Sequence, residues 1–285
     1  MQQVAVVTDS ISCLTRELVE QYGIVIVPAN FCAEGKVYRD WVDMTPSQAY
    51  ELFLKDPDSF KTSAPSPEDY LKAYHEASKQ AESVLCITFS AKISAVYNIA
   101  QQAKEQAKAE LPQVSIEVLD SQTVTAAQGF VALAAARAAV EGKSPAEVVK
   151  AAEEMRNRVS FIILLDTIRH VYRSGRIPKV AAQVGSMLNI RPILTISSGL
   201  IRFAGAVRNK HHGVDRLLKM MRDKVGLSPV HVAVMHAYAL EEAERLEERV
   251  SSEFNCAELW LTEFSPVMGY VTGTGTVGFA FYSDD

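Results

Sequence analysis

Short apolar runs alternate with helical patterns through the first half of the chain, which is the sequence sign of parallel strands joined by crossover helices. Val4 to Thr8 reads as the first strand, Thr15 to Tyr22 as a helix and Ile24 to Pro28 as a second strand. Thr45 opens a helix that runs to Leu54, with Pro46 at its first position, where a missing N–H is harmless. Ser66-Pro67 opens another in the same way, and Glu68 and Asp69 put acids in its first turn to suit the helix dipole. It runs to about Ala81. A strand at Ser83 to Phe89, a helix at Ala95 to Ala109, a strand at Ser115 to Leu119 and an alanine-rich helix at Ala126 to Glu141 complete a doubly wound pattern. Ligand sites in such folds lie where strands end and the chain turns into helices.

Ser144-Pro145 caps one more helix, to about Arg158, which bridges to a second lobe. There the pattern predicts a strand at Phe161 to Leu165, a polar loop with Arg173, Gly175 and Arg176, a helix near Val180 to Leu188 and a strand at Ile193 to Ile196. Ser198-Gly199 reads as a hairpin turn into Leu200 to Ala204. A helix at Val214 to Val225, a strand at His231 to His236 and a charged helix at Leu240 to Phe254 follow. The expected fold class is therefore α/β in two lobes. Residues 1–158 form an N-terminal lobe on a doubly wound, mostly parallel sheet, and residues 159–285 form a mixed-sheet α/β lobe.

At 285 residues the chain can bury a large core and still hold a ligand cavity. With 48% hydrophobic and 22% charged residues it belongs with soluble globular proteins. Its 29 basic and 34 acidic residues, a formal charge of −5, give no general field for nucleic acid. The run Val4-Ala5-Val6-Val7 is too short for a secretory signal, and the apolar stretches are strand-sized where a membrane span needs about 20 residues. The expectation is a cytoplasmic protein without a membrane span. Cys13, Cys32, Cys86 and Cys256 form no CxxC pair, so neither disulfides nor a metal site is expected.

The common catalytic motifs GxSxG, the Walker loop and HExxH are missing. A GxGxxG match at Gly273, Gly275 and Gly278 leaves only Phe279 to Asp285 behind it, too little for a βαβ unit, so no dinucleotide or other cofactor is implied. Those glycines instead suit tight turns or close backbone approach. The histidines show no metal-ligand spacing; His236, ending a strand, is a candidate polar site residue set against the commoner role of a satisfied structural histidine. What remains is a set of hydroxyl-rich turns at strand ends: Thr8-Asp9-Ser10, Thr62-Ser63, Ser90 with Ser94, and Asp120-Ser121 with Thr123 and Thr125. Singly, each reads as a helix cap or Asx turn. Together they point to a shared crevice that holds an anion through hydroxyls and helix-start amides.

Val6-Val7-Thr8-Asp9-Ser10 with Leu14, Lys61-Thr62-Ser63-Ala64-Pro65-Ser66-Pro67 with Tyr70, Ser94-Ala95-Val96-Tyr97-Asn98, and Asp120-Ser121 with Gln128-Gly129 resemble the DegV family. So do Ser174-Gly175-Arg176-Ile177, Arg191-Pro192-Ile193-Leu194, residues 205–208 and Ser265-Pro266-Val267-Met268-Gly269, all in the family's order. The resemblance implies a DegV-like fold with a long-chain fatty acid, such as palmitate, stearate or oleate, between two lobes. It implies that Thr62, Ser63 and Ser94 hold the carboxylate, with Thr8, Asp9, Ser10, Ser121, Gln128, Arg176, His236, Gly269 and Val271 as supporting candidates. It further implies a non-catalytic carrier that presents the acid to a fatty acid kinase catalytic subunit. Three segments depart from the family pattern: Ser94-Ala95-Val96-Tyr97 replaces Ser-Gly-Thr-Tyr, Tyr172 stands in place of Arg, and Val271 replaces the histidine of a Gly-x-His-x-Gly turn. That histidine lies near the bound carboxyl group in kinase-competent members, so Val271 bears on acyl phosphate formation more than on binding.

Energetics makes such binding plausible on its own terms. Each buried methylene contributes ~0.8 kcal/mol, so a palmitate-sized tail supplies on the order of 10 kcal/mol before the costs of immobilisation. Hydroxyls then need only orient the head and keep it paired. Two other classes stay open: an acyl hydrolase or acyltransferase with Ser94 as nucleophile, which lacks an evident general base, and an interaction subunit that keeps the fold without lipid.

Overall fold

The computed structural model describes residues 3–175 and 190–284. Arg176 and the helix predicted near 180–188 lie outside the described residues, as does the side chain of Tyr172.

The chain begins with β1 (Val4–Asp9), buried throughout, a 3-10 turn at Ser10–Ser12, α1 (Arg16–Tyr22) and β2 (Val25–Val27). Next come β3 (Asn30–Ala33), β4 (Lys36–Arg39), α2 (Pro46–Lys55), β5 (Lys61–Ser63) and α3 (Pro67–Ser78), then β6 (Ser83–Thr88), α4 (Val96–Glu110), β7 (Ser115–Asp120) and α5 (Thr125–Val140). Strands β2-β1-β6-β7 form a parallel sheet in that order. Helices α2 and α3 start where expected, because Thr45 and Ser66 each form a reciprocal capping box with Gln48 and Asp69. The antiparallel sheet β4-β3-β5 was not expected from the sequence. Its strands are three or four residues long, too short for a period-2 signal to stand out.

Helix α6 (Pro145–Arg158), with Ser144 and Glu147 as its capping box, leads to β8 (Ser160–Leu164) and α7 (Arg169–Ser174). After residue 190 come β9 (Arg191–Ser197), β10 (Leu200–Val207), α8 (Lys210–Val225), β11 (Val230–His236), α9 (Leu240–Glu253), β12 (Cys256–Glu263), α10 (Pro266–Thr272) and β13 (Val277–Ser283). They build a six-stranded mixed sheet in the order β10-β9-β8-β13-β11-β12, in which only β11 and β12 pair in parallel. Part of the expected polar loop is helical in α7, and α8 begins at Lys210, four residues before the expected start, because Asn209 accepts a hydrogen bond from the His211 N–H. No element expected from the sequence corresponds to β12, α10 or β13.

Strand β8 is apolar on both faces, and its alternation divides the core in two. Ile162 and Leu164 join Ile193 and the α8 and α9 residues Leu217, Met221 and Leu246. Phe161 and Ile163 face the other way, into the larger core shared with the parallel sheet. Helix α5 lies between the two sheets, packed on β1, β6, β11 and β13. Such a helix is apolar all round, and Ala126, Ala127, Val131, Ala132, Ala135 and Ala136 are all buried.

The glycines of the GxGxxG match are structural. Gly273 and Gly275 have φ of 84° and 81°, and a Cβ on Gly278 would sit 2.3 Å from the Ile162 carbonyl oxygen. Gly278→Ala is expected to destabilise the protein by about 1–3 kcal/mol in urea unfolding. A change within about 0.5 kcal/mol would contradict this packing argument.

At the C-terminal end of β1, buried Asp9 accepts hydrogen bonds from the Ile11 N–H at 3.1 Å, the Phe89 N–H at 3.2 Å and Gln128 Nε2 at 3.0 Å. Burial outweighs these bonds and raises its pKa from 3.8 to about 6. The folded value exceeds the unfolded one, so the stability Asp9 contributes is fully present below about pH 4 and is lost as pH rises through about 6. A carboxyl-carbon NMR titration of Asp9 should show its midpoint near 6; a midpoint near 4 would contradict the burial.

Candidate functional site

An apolar cavity opens where the parallel sheet, β5, the mixed sheet and α10 meet. Ile11 of the 3-10 turn, Phe89 and Ile93 after β6, Val96 at the start of α4 and Val124 before α5 form one wall. Phe161 and Ile163 of β8, Leu194 of β9 and Ile201 of β10 form the opposite wall. Ile163 pairs directly with Leu194, so pleat alternation puts these side chains on one face. Val267, Met268, Val271 and Thr272 of α10 close the cavity. Its walls enclose about 680 Å³ of unfilled space including the mouth, in the form of a slot. No ionisable residue is among the described residues that line it.

Ser63, Ser94 and Thr272 are the hydroxyl residues at this slot, which also borders Ala64, and Thr272 Oγ1 donates to the Met268 carbonyl at 3.0 Å. Ser94 Oγ accepts the Val96 N–H at 3.3 Å, leaving its hydroxyl proton free for an acceptor. Ala95, the N-cap of α4, makes no side-chain cap hydrogen bond, and the first backbone N–H groups of a helix have no partner within it. Ser94 thus sits beside a helix end that favours negative charge. Thr62 is not among the lining residues. It pairs with Phe31 across the small sheet and shares its face, and its buried Oγ1 has no hydrogen-bond partner. Strand β5 packs on α10, a helix that lines the slot.

The remaining candidates are distributed differently. Thr8 Oγ1 donates to the Ile87 carbonyl at 2.8 Å and accepts from Gln128 Nε2 at 3.0 Å. Ser10 Oγ accepts the Ala29 N–H at 3.1 Å, and Ser121 Oγ bonds both backbone groups of Thr123. With Asp9, these residues are committed to holding strand ends together, and none lines the slot. Gly269 lies against the Tyr50 ring, where a Cβ would come within 2.1 Å, and Tyr50 in turn donates to the Phe264 carbonyl at 3.1 Å. Val271 does line the slot, so the departure from the family's histidine falls in its wall. Arg176 lies outside the described residues.

His236 belongs to a separate, polar cleft with Ser47, Arg191, Lys210 and Glu263, which shares no lining residue with the slot. Its Nδ1 accepts the Ala239 N–H at 3.3 Å, which puts the proton of the neutral ring on Nε2. Burial lowers its pKa to about 4. The 3.9 Å approach of Glu263 Oε1 to this proton-free nitrogen is therefore not an ion pair at neutral pH. As for Ser94 as a nucleophile, no histidine is among the described lining residues, so the slot offers that serine no general base.

The slot's apolar wall was not singled out in the sequence. Alternating positions in β8 carried the signal, but a strand apolar on both faces does not reveal which face meets a cavity.

No helix among the described residues is long and apolar enough to cross a membrane. The family model described as "Uncharacterised protein, DegV family" matches residues 3–284. A DegV domain-containing protein of Clostridium acetobutylicum is 30% identical over 99% of this chain and 98% of its own length. A DegV family protein from Thermus thermophilus, described for its fatty acid binding, superposes with a TM-score of 0.89 at 29% identity over 99% of this chain and 100% of that one. DegV of Bacillus subtilis, described as a fatty acid binding protein, does so with a TM-score of 0.90 at 28% identity over the full length of both chains. Matched across almost its whole length in sequence and in fold, this chain belongs to the DegV family.

Proposed function

We propose that this protein binds one long-chain fatty acid, of the palmitate, stearate or oleate class, and acts as a non-catalytic carrier. The observation that carries the reading is the slot itself: apolar walls without an ionisable residue, two serine hydroxyls and the start of α4. A ligand that fits it has a long apolar body and one small polar end. Fatty acid binding by the similar Thermus thermophilus and Bacillus subtilis proteins supports the same choice.

In this reading the carboxylate accepts from Ser94 and Ser63, and Thr62 Oγ1, buried without a partner, supplies a third hydroxyl. The dipole of α4 offsets the charge. The tail runs between β8, β9 and α10, where its burial supplies on the order of 10 kcal/mol before ordering costs. Hand-over of the acid to a fatty acid kinase catalytic subunit is the narrower form of the proposal and rests on the family resemblance. Val271 bears on that step, because valine at the slot wall can neither donate to nor accept from an acyl phosphate.

Mass spectrometry of an organic extract of the purified protein tests the binding reading. Near-stoichiometric acids of about 16 to 18 carbons are expected, the length range at which tail burial suffices. An empty extract together with no uptake of added acid would overturn it. Ser94→Ala is expected to weaken fatty acid binding about tenfold, the loss of one charge-assisted hydrogen bond, with the fold intact by circular dichroism. Unchanged affinity across a range of acids would remove Ser94 from the head-group site.

A further inference from the structure

Bordered by the β9–β10 turn lies a second hollow, about 740 Å³ of unfilled space including its mouth, with the opposite character. Three cationic side chains reach it: Arg156 and Arg158 at the end of α6 and Lys224 near the end of α8. Gln122, Thr123, Asn157, Ser160, Ser197 and Ser198 complete its polar lining, and no Asp or Glu is among the described residues that line it. This concentration of basic groups stands out in a chain whose formal charge is −5.

The donors there are incompletely used. Thr123 is 3% exposed, and its Oγ1 is buried with no hydrogen-bond partner. Arg156 Nε is likewise buried and unpartnered, while Nη1 reaches the Asp120 carbonyl at 3.3 Å and Nη2 reaches Glu153 at 3.4 Å, both long contacts. Lys224 Nζ donates to Ser160 Oγ at 2.9 Å, which leaves two of its three protons unassigned. Arg158 is engaged elsewhere, on the Ser283 carbonyl and, at 3.9 Å, on Asp284. Buried polar atoms are nearly always paired in folded proteins, so two orphans on one hollow mark a place where an acceptor belongs.

We propose that this hollow is a binding site for a small phosphate-bearing molecule. Guanidinium and ammonium groups select an anion, and the free donors of Arg156, Thr123, Lys224, Ser197 and Ser198 outnumber what the two oxygens of a carboxylate use well. A phosphate, with three or more acceptor oxygens, matches them. The site is distinct from the slot, with which it shares no lining residue, and it does not rest on the fatty acid reading. The β9–β10 turn is pinned by Ser90 Oγ on the Gly199 carbonyl and Lys92 Nζ on the Ser198 carbonyl, both at 2.8 Å.

The test is an amide NMR titration of the full chain at low salt with inorganic phosphate, methyl phosphate and acetate. Saturable shifts confined to Thr123, Ser160, Ser197 and Ser198 are expected with either phosphate, the tighter of the two identifying a free or an esterified group. Arg156→Gln is expected to raise the phosphate dissociation constant about tenfold. Lys224→Gln, on an exposed helix position that does not threaten the fold, should raise it at least about threefold. Shifts that do not saturate, that match those with acetate, or that survive unchanged in Lys224→Gln overturn the proposal.

Discussion

One buried carboxylate ties the parallel sheet to the slot. Asp9 gathers the N–H groups of Ile11 and Phe89 and the amide of Gln128, and so joins β1, the segment after β6 and α5 at one point. Ile11 and Phe89 are themselves slot residues, so the position of one wall follows from where that carboxylate sits. Burying it is costly, as its raised pKa records, and three donors offset much of the cost. Gln128 can reach Asp9 because α5 runs between the two sheets, with small residues that let it approach both. Gly129, beside it, admits no side chain: a Cβ there would sit 2.7 Å from the Ser12 carbonyl oxygen.

The slot and the polar cleft around His236 show how one stretch of chain serves two environments. Residues 263–275 present Val267, Met268 and Val271 to the slot and Glu263 and Gly275 to the cleft. An apolar slot without charged groups can hold a polar ligand end only through hydroxyls, amides and a helix end, and Ser63, Ser94 and the start of α4 lie at this one. The hollow at Arg156 and Lys224 works by charge and suits a compact polyanion better than a lipid head with two oxygens.

The hydroxyl-rich turns divide along the same lines. Thr8, Ser10 and Ser121 resemble Ser63 and Ser94 in sequence, each a hydroxyl at the end of a strand or at a turn. In the fold the first three spend their hydrogen bonds on backbone groups or on Gln128, as helix and strand termini require. Only Ser63 and Ser94 border the slot. The difference lies in where the hydroxyl proton goes: Thr8 gives it to the Ile87 carbonyl and Ser121 to the Thr123 carbonyl, whereas Ser94 only accepts, from the Val96 N–H.

Local signals were enough for much of the fold. Capping boxes at Thr45, Ser66 and Ser144, Pro at the next position and alternation of strand with helix mark α2, α3, α6 and the doubly wound sheet, because a cap or an amphipathic period is written within a few residues. The Ser198-Gly199 hairpin and the turn and close-approach roles of Gly273, Gly275 and Gly278 were legible for the same reason. The ordered family blocks pointed to Thr62, Ser63 and Ser94, of which Ser63 and Ser94 line the slot. The small sheet of β3, β4 and β5, the central place of β13 and the separation of His236 from the slot were decided only by tertiary structure. Each depends on which segments distant in sequence come together, as Asn30 meets Ser63 or Met235 meets Gly278. A three-residue strand or a lone histidine carries no local record of its partner, whereas a capped helix carries most of its own instructions.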